Sequence, residues 1–289
     1  MKICSYNSQG SGPGRLEYMH TLSKFYDVIL IQEHWLLSQQ LNKLEKAMPG
    51  HTVHGVSGMP SNQLIHGRPY GGCAIAFKRS LKAKVTPLAT INSDRMCGVS
   101  VDIDSINFLL FCVYMPCDDA SNADTYREIL DEIAMTHALL SPNAGSIIGG
   151  DFNTDFDRTT SAHTKLLCKF MSNNSFVCPL LHACADVCFT YESKANGSRS
   201  IIDHFVISSQ LYDCVTTYES VHSGLNVSDH VPIGAEFSIP ASRYEPLSSP
   251  SAIFKWRTAS ATDIEIYKAN LSALISELDM PAPLLQCDS

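Results

Sequence analysis

The sequence predicts an α+β fold in which two sheets stack face to face and helices pack on the outside. Three observations carry this expectation. Short apolar runs, each bounded by turn residues, read as strands. Segments with apolar residues at helical spacing lie between some of them. The alternation is irregular, and only hairpin-length gaps separate several strands, which favours stacked sheets over a doubly wound parallel sheet.

The strand candidates, in order, are residues 2–6, 28–32, 73–78, 108–114, 146–148 and 202–207. Helical spacing predicts helices over residues 16–25, 39–48, 125–140 and 161–171. In the third, Asp124 or Thr125 is placed as N-cap, with Glu128 set for a capping box. Composition shifts after Ser238. Residues 239–250 are rich in Pro and Ser and read as a linker. Beyond it, residues 261–278 place Ile264, Tyr267, Leu271, Leu274 and Leu278 on one face of an amphipathic helix that docks on something. The expected organisation is one domain over residues 1–239, then a linker and helix over 240–289.

Composition narrows the function. Of 289 residues, 45% are apolar and 17% charged, a globular balance. No run of 18 apolar residues occurs, so no transmembrane span and no membrane partner are expected. The first residues are too polar for a secretory signal. The 11 cysteines form no C-x-x-C pair, Cys184 and Cys188 being the nearest approach. They read as free thiols in a reducing, intracellular compartment. The net charge of −8 excludes binding to nucleic acid by bulk positive charge. It does not exclude a metal-dependent nuclease, whose site itself concentrates carboxylates. The densest basic cluster is Lys78, Arg79, Lys82 and Lys84.

Several apolar runs end in, or contain, a group able to do chemistry. Asn7 follows the first strand and Glu33 the second. Tyr114 closes the fourth. Asp151 and Asn153 follow the fifth, Asp203 lies in the sixth, and Asp229-His230 precede Val231. Polar groups at one end of several strands are how a sandwich builds a site. Phosphodiester hydrolysis fits this set. A hard divalent cation, Mg²⁺ or Mn²⁺, takes carboxylate oxygens. Glu33 is the first ligand choice, with Asn7 or Asp229 assisting. Asp151 is placed to deprotonate an attacking water that Asn153 orients. His230 can donate to the phosphoryl oxygen where charge builds, with Asp203 fixing its tautomer.

These segments resemble the endonuclease/exonuclease/phosphatase superfamily, which includes the deoxyribonuclease I and apurinic-site endonuclease groups. The strings that carry the resemblance are Ser5-Tyr6-Asn7, Ile31-Gln32-Glu33, Val113-Tyr114-Met115-Pro116, Gly149-Gly150-Asp151-Phe152-Asn153, Ile202-Asp203-His204 and Ser228-Asp229-His230-Val231-Pro232. They span about residues 1 to 239. The resemblance implies a four-layer α/β/β/α sandwich of the deoxyribonuclease I type, Mg²⁺ dependence, and cleavage leaving a 3′-hydroxyl and a 5′-phosphate. It also implies that Tyr114 contacts the phosphate and that Thr190 helps arrange the site. Ser228 joins the substrate-contacting residues.

Within that superfamily, Gln32-Glu33-His34-Trp35-Leu36 looks similar to the endonuclease domains of non-LTR (LINE-type) retrotransposons. Phe254-Lys255-Trp256 and the following helix look like the segment before their reverse transcriptase. DNA is then the expected substrate, a reverse transcriptase domain in a longer polyprotein the expected partner, and access to the nucleus is required. The hairpin signal Asn196-Gly197, read as a two-residue turn, puts Lys194 and Arg199 in reach of phosphates or a groove edge. An abasic-site repair enzyme, another phosphoesterase of this fold and a catalytically dead scaffold are the alternatives.

Overall fold

The computed structural model describes residues 1–59, 67–91, 93–104, 106–140, 145–239 and 260–276. The chain divides into two compact units, Met1–Glu245 and Pro246–Ser289. The first unit runs β1 (Lys2–Asn7), α1 (Pro13–Phe25), β2 (Val28–Gln32), α2 (Asn42–Ala47), β3 (His51–Val56), β4 (Cys73–Lys78), β5 (Ala83–Pro87), β6 (Met96–Ile103), β7 (Ile106–Tyr114), α3 (Ala123–Leu140), β8 (Gly145–Asp151) and α4 (Ala162–Asn173). It continues through β9 (Phe176–Val177), β10 (Ala185–Asp186), β11 (Tyr191–Glu192), β12 (Arg199–Ser200), β13 (Asp203–Ser208), β14 (Val215–Ser220) and β15 (Ile233–Phe237). The described part of the second unit is a helix, α5 (Ala261–Ser276).

Two sheets stack. One has the order β10-β14-β15-β1-β2-β4-β3 and the other β5-β6-β7-β8-β13-β9. Between them lies a core that includes Ile3, Leu30, Ile75, Val99, Leu110, Ile147, Phe205 and Phe237. Tyr18, Met19 and Leu22 of α1 and Leu44 of α2 cover the outer face of the first sheet. Tyr126, Ile129 and Ile133 of α3 and Leu167 and Phe170 of α4 cover the second. This is the α/β/β/α sandwich. The central strands carry apolar residues on both faces because both faces are covered. β2 is buried at every position.

The elements differ from the sequence expectation mainly at their ends. The first helix starts at Pro13, whose fixed φ suits the first helical position. The segment 39–48 is not one helix. A 3₁₀ turn, Ser38–Gln40, precedes a short α2. Neither Asp124 nor Thr125 caps α3. A 3₁₀ turn, Ala120–Asn122, capped by Asp119, runs directly into the helix, and Asp124 lies in its first turn bonded to Arg127. Ser161 does cap α4, its Oγ accepting from the N–H of His163 and Thr164, which contributes about 1 kcal/mol. Of the linker expected over 239–250, residues 240–250 lie outside the described residues, as do Phe254-Lys255-Trp256 and Leu278. Ile264, Tyr267 and Leu271 of α5 are exposed.

Strand pairing brings the site residues to one rim. β1 and β2 run parallel with Asn7 beside Gln32, so Asn7 and Glu33 leave the first sheet together. In the second sheet, β7 and β8 run parallel with Tyr114 beside Asp151. β13 runs antiparallel to β8 with Asp203 opposite Asp151. Tyr114, Asp151 and Asp203 therefore occupy one rung of three adjacent strands.

Candidate active site

Asn7 joins the two sheets at this rim. Its Nδ2 donates to Glu33 Oε1 at 2.9 Å and to Asp151 Oδ2 at 2.9 Å. Two carboxylates thus face each other across one amide, Asp151 almost out of solvent and Glu33 half-buried. Asp151 accepts further from the backbone N–H of Asn153 at 2.8 Å. Asn153 has a positive φ of 48° and is pinned by its side-chain bond to the carbonyl of Met115 at 2.9 Å. The His230 ring closes the group. Its Nε2 lies 3.9 Å from Asp151 Oδ2, and its Nδ1 lies 2.9 Å from Asp203 Oδ2.

Electrostatics follow from this crowding. Asp151 is pushed up to about 7, by burial first and by the Asp203 charge second, against His230 and the bonds from Asn153 and Asn7. Burial works against a charged His230, but the carboxylates of Asp203 and Asp151 outweigh it and raise the ring to about 9. His230 is therefore a cation at neutral pH, with Nδ1–H committed to Asp203 and Nε2–H turned to the site. The Tyr114 hydroxyl is held above its usual range by burial and by the charges of Glu33 and Asp151, so it stays a hydrogen-bond donor. Arg95 lies over the Tyr114 ring at 5.2 Å.

The remaining expected residues have defined places. Thr190 Oγ1 accepts from the backbone N–H of Ile202 at 2.9 Å and of Asp203 at 3.0 Å, which fixes the strand that carries Asp203. Ser228 Oγ donates to the carbonyl of Asn7 at 2.8 Å and accepts from the N–H of His230 at 3.2 Å, stapling the two segments. Asp229 stands apart from the carboxylate pair, and its side chain forms an ion pair with Lys194. Arg199 bonds Glu192 and lies over the Phe189 ring at 4.2 Å.

The hairpin carrying Lys194 and Arg199 is present, but its turn is not two residues. Ser193 pairs with Ser198, and Gly197 N–H closes on the Ser193 carbonyl at 2.7 Å. The loop is therefore four residues, with Gly197 taking the positive φ of 69°. Glu192 N–H bonds the Asp229 carbonyl, and Val231 N–H bonds that of Thr190, so the hairpin is sewn to the segment bearing His230.

One residue beside Glu33 was not singled out from the sequence. Trp35 Nε1 donates to Glu33 Oε2 at 3.2 Å, so both oxygens of Glu33 are held. Glu33 and Trp35 both have positive φ, 51° and 56°. Long-range partners hold this turn: Gly10 N–H bonds the Glu33 carbonyl at 2.6 Å, and Trp35 N–H bonds that of Gly71 at 3.0 Å. His34, buried between them, packs on Gly72, where a Cβ would collide with its ring.

Atoms of Glu33, Asp151 and His230 lie within 4.8 Å of one another, the one group of this kind among the described residues. The donors facing one another are carboxylate oxygens, which suit a hard divalent cation better than a thiophilic one. Two buried acids, a buried imidazolium and a phenol at the rim of an α/β/β/α sandwich define a phosphoester hydrolase.

Comparison with known proteins agrees. The endonuclease/exonuclease/phosphatase family model matches residues 4–230. The chain belongs to that family. No curated protein sequence matches it. Among solved structures, an AP endonuclease from Leishmania major superposes with a TM-score of 0.66 at 17% identity, covering 83% of this chain and 88% of that one. The endonuclease domain of TRAS1, a telomere-specific non-LTR retrotransposon, gives 0.59 at 16%, covering 82% and 97%. A 3′ phosphatase, NExo, from Neisseria, bound to product DNA hairpin, gives 0.60 at 15%, covering 82% and 99%. Among the described residues, no helix is long and apolar enough to cross a membrane.

Proposed function

We propose that this chain is a divalent-cation-dependent DNA endonuclease that nicks one strand and leaves a 3′-hydroxyl and a 5′-phosphate. The observation that carries the reading is the Glu33–Asn7–Asp151 bridge closed by the Asp203-backed His230. Glu33 and Asn7 hold the cation, with Asp229 available when Lys194 leaves it. When bound, Mg²⁺ or Mn²⁺ polarises the phosphate and offsets charge on the leaving oxygen. Asp151, held near neutrality, accepts the proton of the attacking water, and Asn153 orients that water. His230 donates from Nε2 to a phosphoryl oxygen as charge grows there, and Tyr114 donates from its hydroxyl. Thr190 and Ser228 position Asp203 and His230 through the backbone.

DNA is favoured as substrate by the strings Gln32-Glu33-His34-Trp35-Leu36 and Ser228-Asp229-His230, and by likeness to DNA-acting folds, one of them a retrotransposon endonuclease domain. The biological setting that fits is target-site nicking by a non-LTR retrotransposon, with a reverse transcriptase domain as partner and genomic DNA in the nucleus as target. Likeness to an AP endonuclease supports abasic-site cleavage as the second reading.

The test is nicking of supercoiled plasmid in Mg²⁺ or Mn²⁺, with excess chelator as control. Nicks with a 3′-hydroxyl and 5′-phosphate are resealed directly by DNA ligase. Full activity in chelator, or nicks that ligase cannot close, would contradict the reading. Cleavage of an abasic duplex without cleavage of an intact one would select the second.

A further inference from the structure

Trp35 carries a second feature. The guanidinium of Arg68 lies 3.9 Å from the centroid of the indole. The same indole donates its N–H to Glu33. The ring is also packed on Gly10, where even a Cβ would come within 2.7 Å of it. Arg68 is exposed, and no carboxylate among the described residues pairs with it, although the chain is strongly acidic. A stacked guanidinium keeps its in-plane N–H groups available to an anion. Here that plane is held one aromatic ring away from a carboxylate of the catalytic cluster.

We propose that Arg68 binds a backbone phosphate flanking the scissile one, and that Trp35 positions both Arg68 and Glu33. The inference rests on the reading of this chain as a DNA endonuclease. Along one strand of duplex, charges recur about every 3.4 Å of helix axis, so a phosphate next to the cleaved one lies within reach of a group one ring from Glu33. The ligand class is thus a polyanionic strand, since a phosphoester with a single phosphate has no second charge to place there. Trp35 is a positioning residue. Its N–H orients the carboxylate and its face orients the cation, so substrate contact and cation placement share one side chain.

The experiment uses the full chain with two substrates in Mg²⁺: a duplex DNA, and bis(p-nitrophenyl) phosphate, which has no flanking phosphate. Arg68→Ala is expected to lower kcat/KM on DNA about tenfold more than on bis(p-nitrophenyl) phosphate, chiefly through KM. The log–log dependence of DNA KM on salt should become shallower by about one. Arg68→Lys, which keeps charge and loses the flat stack, should fall between. Trp35→Phe keeps a ring under Arg68 but removes the N–H. It should raise the Mg²⁺ concentration for half-maximal activity several-fold on both substrates. Equal losses on the two substrates, or an unchanged salt slope, for Arg68→Ala would overturn the phosphate contact. An unchanged Mg²⁺ requirement in Trp35→Phe would overturn the positioning role. Wild-type protein that hydrolyses bis(p-nitrophenyl) phosphate and leaves DNA intact would instead sink the endonuclease reading, and this inference with it.

Discussion

His230 Nδ1 and Asp203 Oδ2 lie 2.9 Å apart, and both side chains are almost wholly out of solvent. Neither group is stable there alone. A buried imidazolium without a counter-charge would lose its proton, and a buried carboxylate without a donor would gain one. The pair is thus one unit, and its parts contribute non-additively. His230→Ala should lower nicking about 10²–10⁴-fold. Adding Asp203→Ala to it should change the rate only a few-fold further. Losses that multiply across the two sites would show independent action. Both variants need a far-UV spectrum, since each leaves a buried polar partner.

Glu33 is held by Asn7 on one oxygen and by Trp35 on the other. Glu33→Gln preserves the shape but removes the charge that a hard cation needs. The expected result is a rise of about tenfold or more in the Mg²⁺ concentration for half-maximal activity, with a lower thermal midpoint of the metal-free protein because the Gln amide leaves either Asn7 Nδ2 or Trp35 Nε1 without an acceptor. An unaltered Mg²⁺ curve would remove Glu33 from the cation site.

The buried histidines away from the site set an acid limit. His163 is fully buried and stacked on Tyr126 at 4.2 Å, and burial holds it below its usual 6.5 despite Asp118 nearby. Burial also lowers His204, whose Nε2 lies 2.8 Å from the Thr154 carbonyl. For a histidine with a depressed folded pKa, the unfolded chain binds the proton first as pH falls below 6.5. Stability is therefore full above that value and is lost as pH drops through the folded pKa. Denaturant titrations between pH 7 and 5 should show this loss. His163→Phe, which keeps the stack, should make the slope against pH shallower. An unchanged slope would mean that His163 binds its proton equally in the folded and the unfolded chain.

Much of this was legible because burial on both faces leaves a plain mark. Residues 28–32 and 73–78 read as strands and are β2 and β4 to the residue. Polar groups at strand ends pointed to Asn7, Glu33, Asp151 and Asp203 because the sheet rim is where strands run out. Strands at or next to a sheet edge were missed for the opposite reason. β5 and β14 alternate partly exposed and polar residues, and only their neighbours reveal them. In β6, Gly98 and Asp102 interrupt the apolar run, and Gly98 is needed where Leu88, Ile91 and Phe111 crowd in. Trp35 could not be assigned a role from local sequence. Its positive φ is imposed by Gly10 and Gly71, one of them 36 residues away.

Target choice is the last expectation, and the hairpin over residues 191–200 is where it should be found. Cation, water and phosphate contacts are indifferent to base sequence, so preference must come from loops beside them. This hairpin is anchored to the site by Thr190, by the Glu192–Asp229 backbone bond and by the Lys194–Asp229 ion pair. Its four-residue loop and Arg199 face solvent. A projection so placed can sense groove width and the ease of bending without many base contacts. Replacing residues 194–198 with a short Gly-rich turn should retain nicking and redistribute nick sites on a plasmid. Lys194→Ala alone is the control, because the replacement also frees Asp229. If the control moves the map as far as the replacement does, the ion pair sets the preference and the loop shape does not. A map left unchanged by both would assign selection to another loop, residues 57–70 being next because of their Gly, Pro and Ser content.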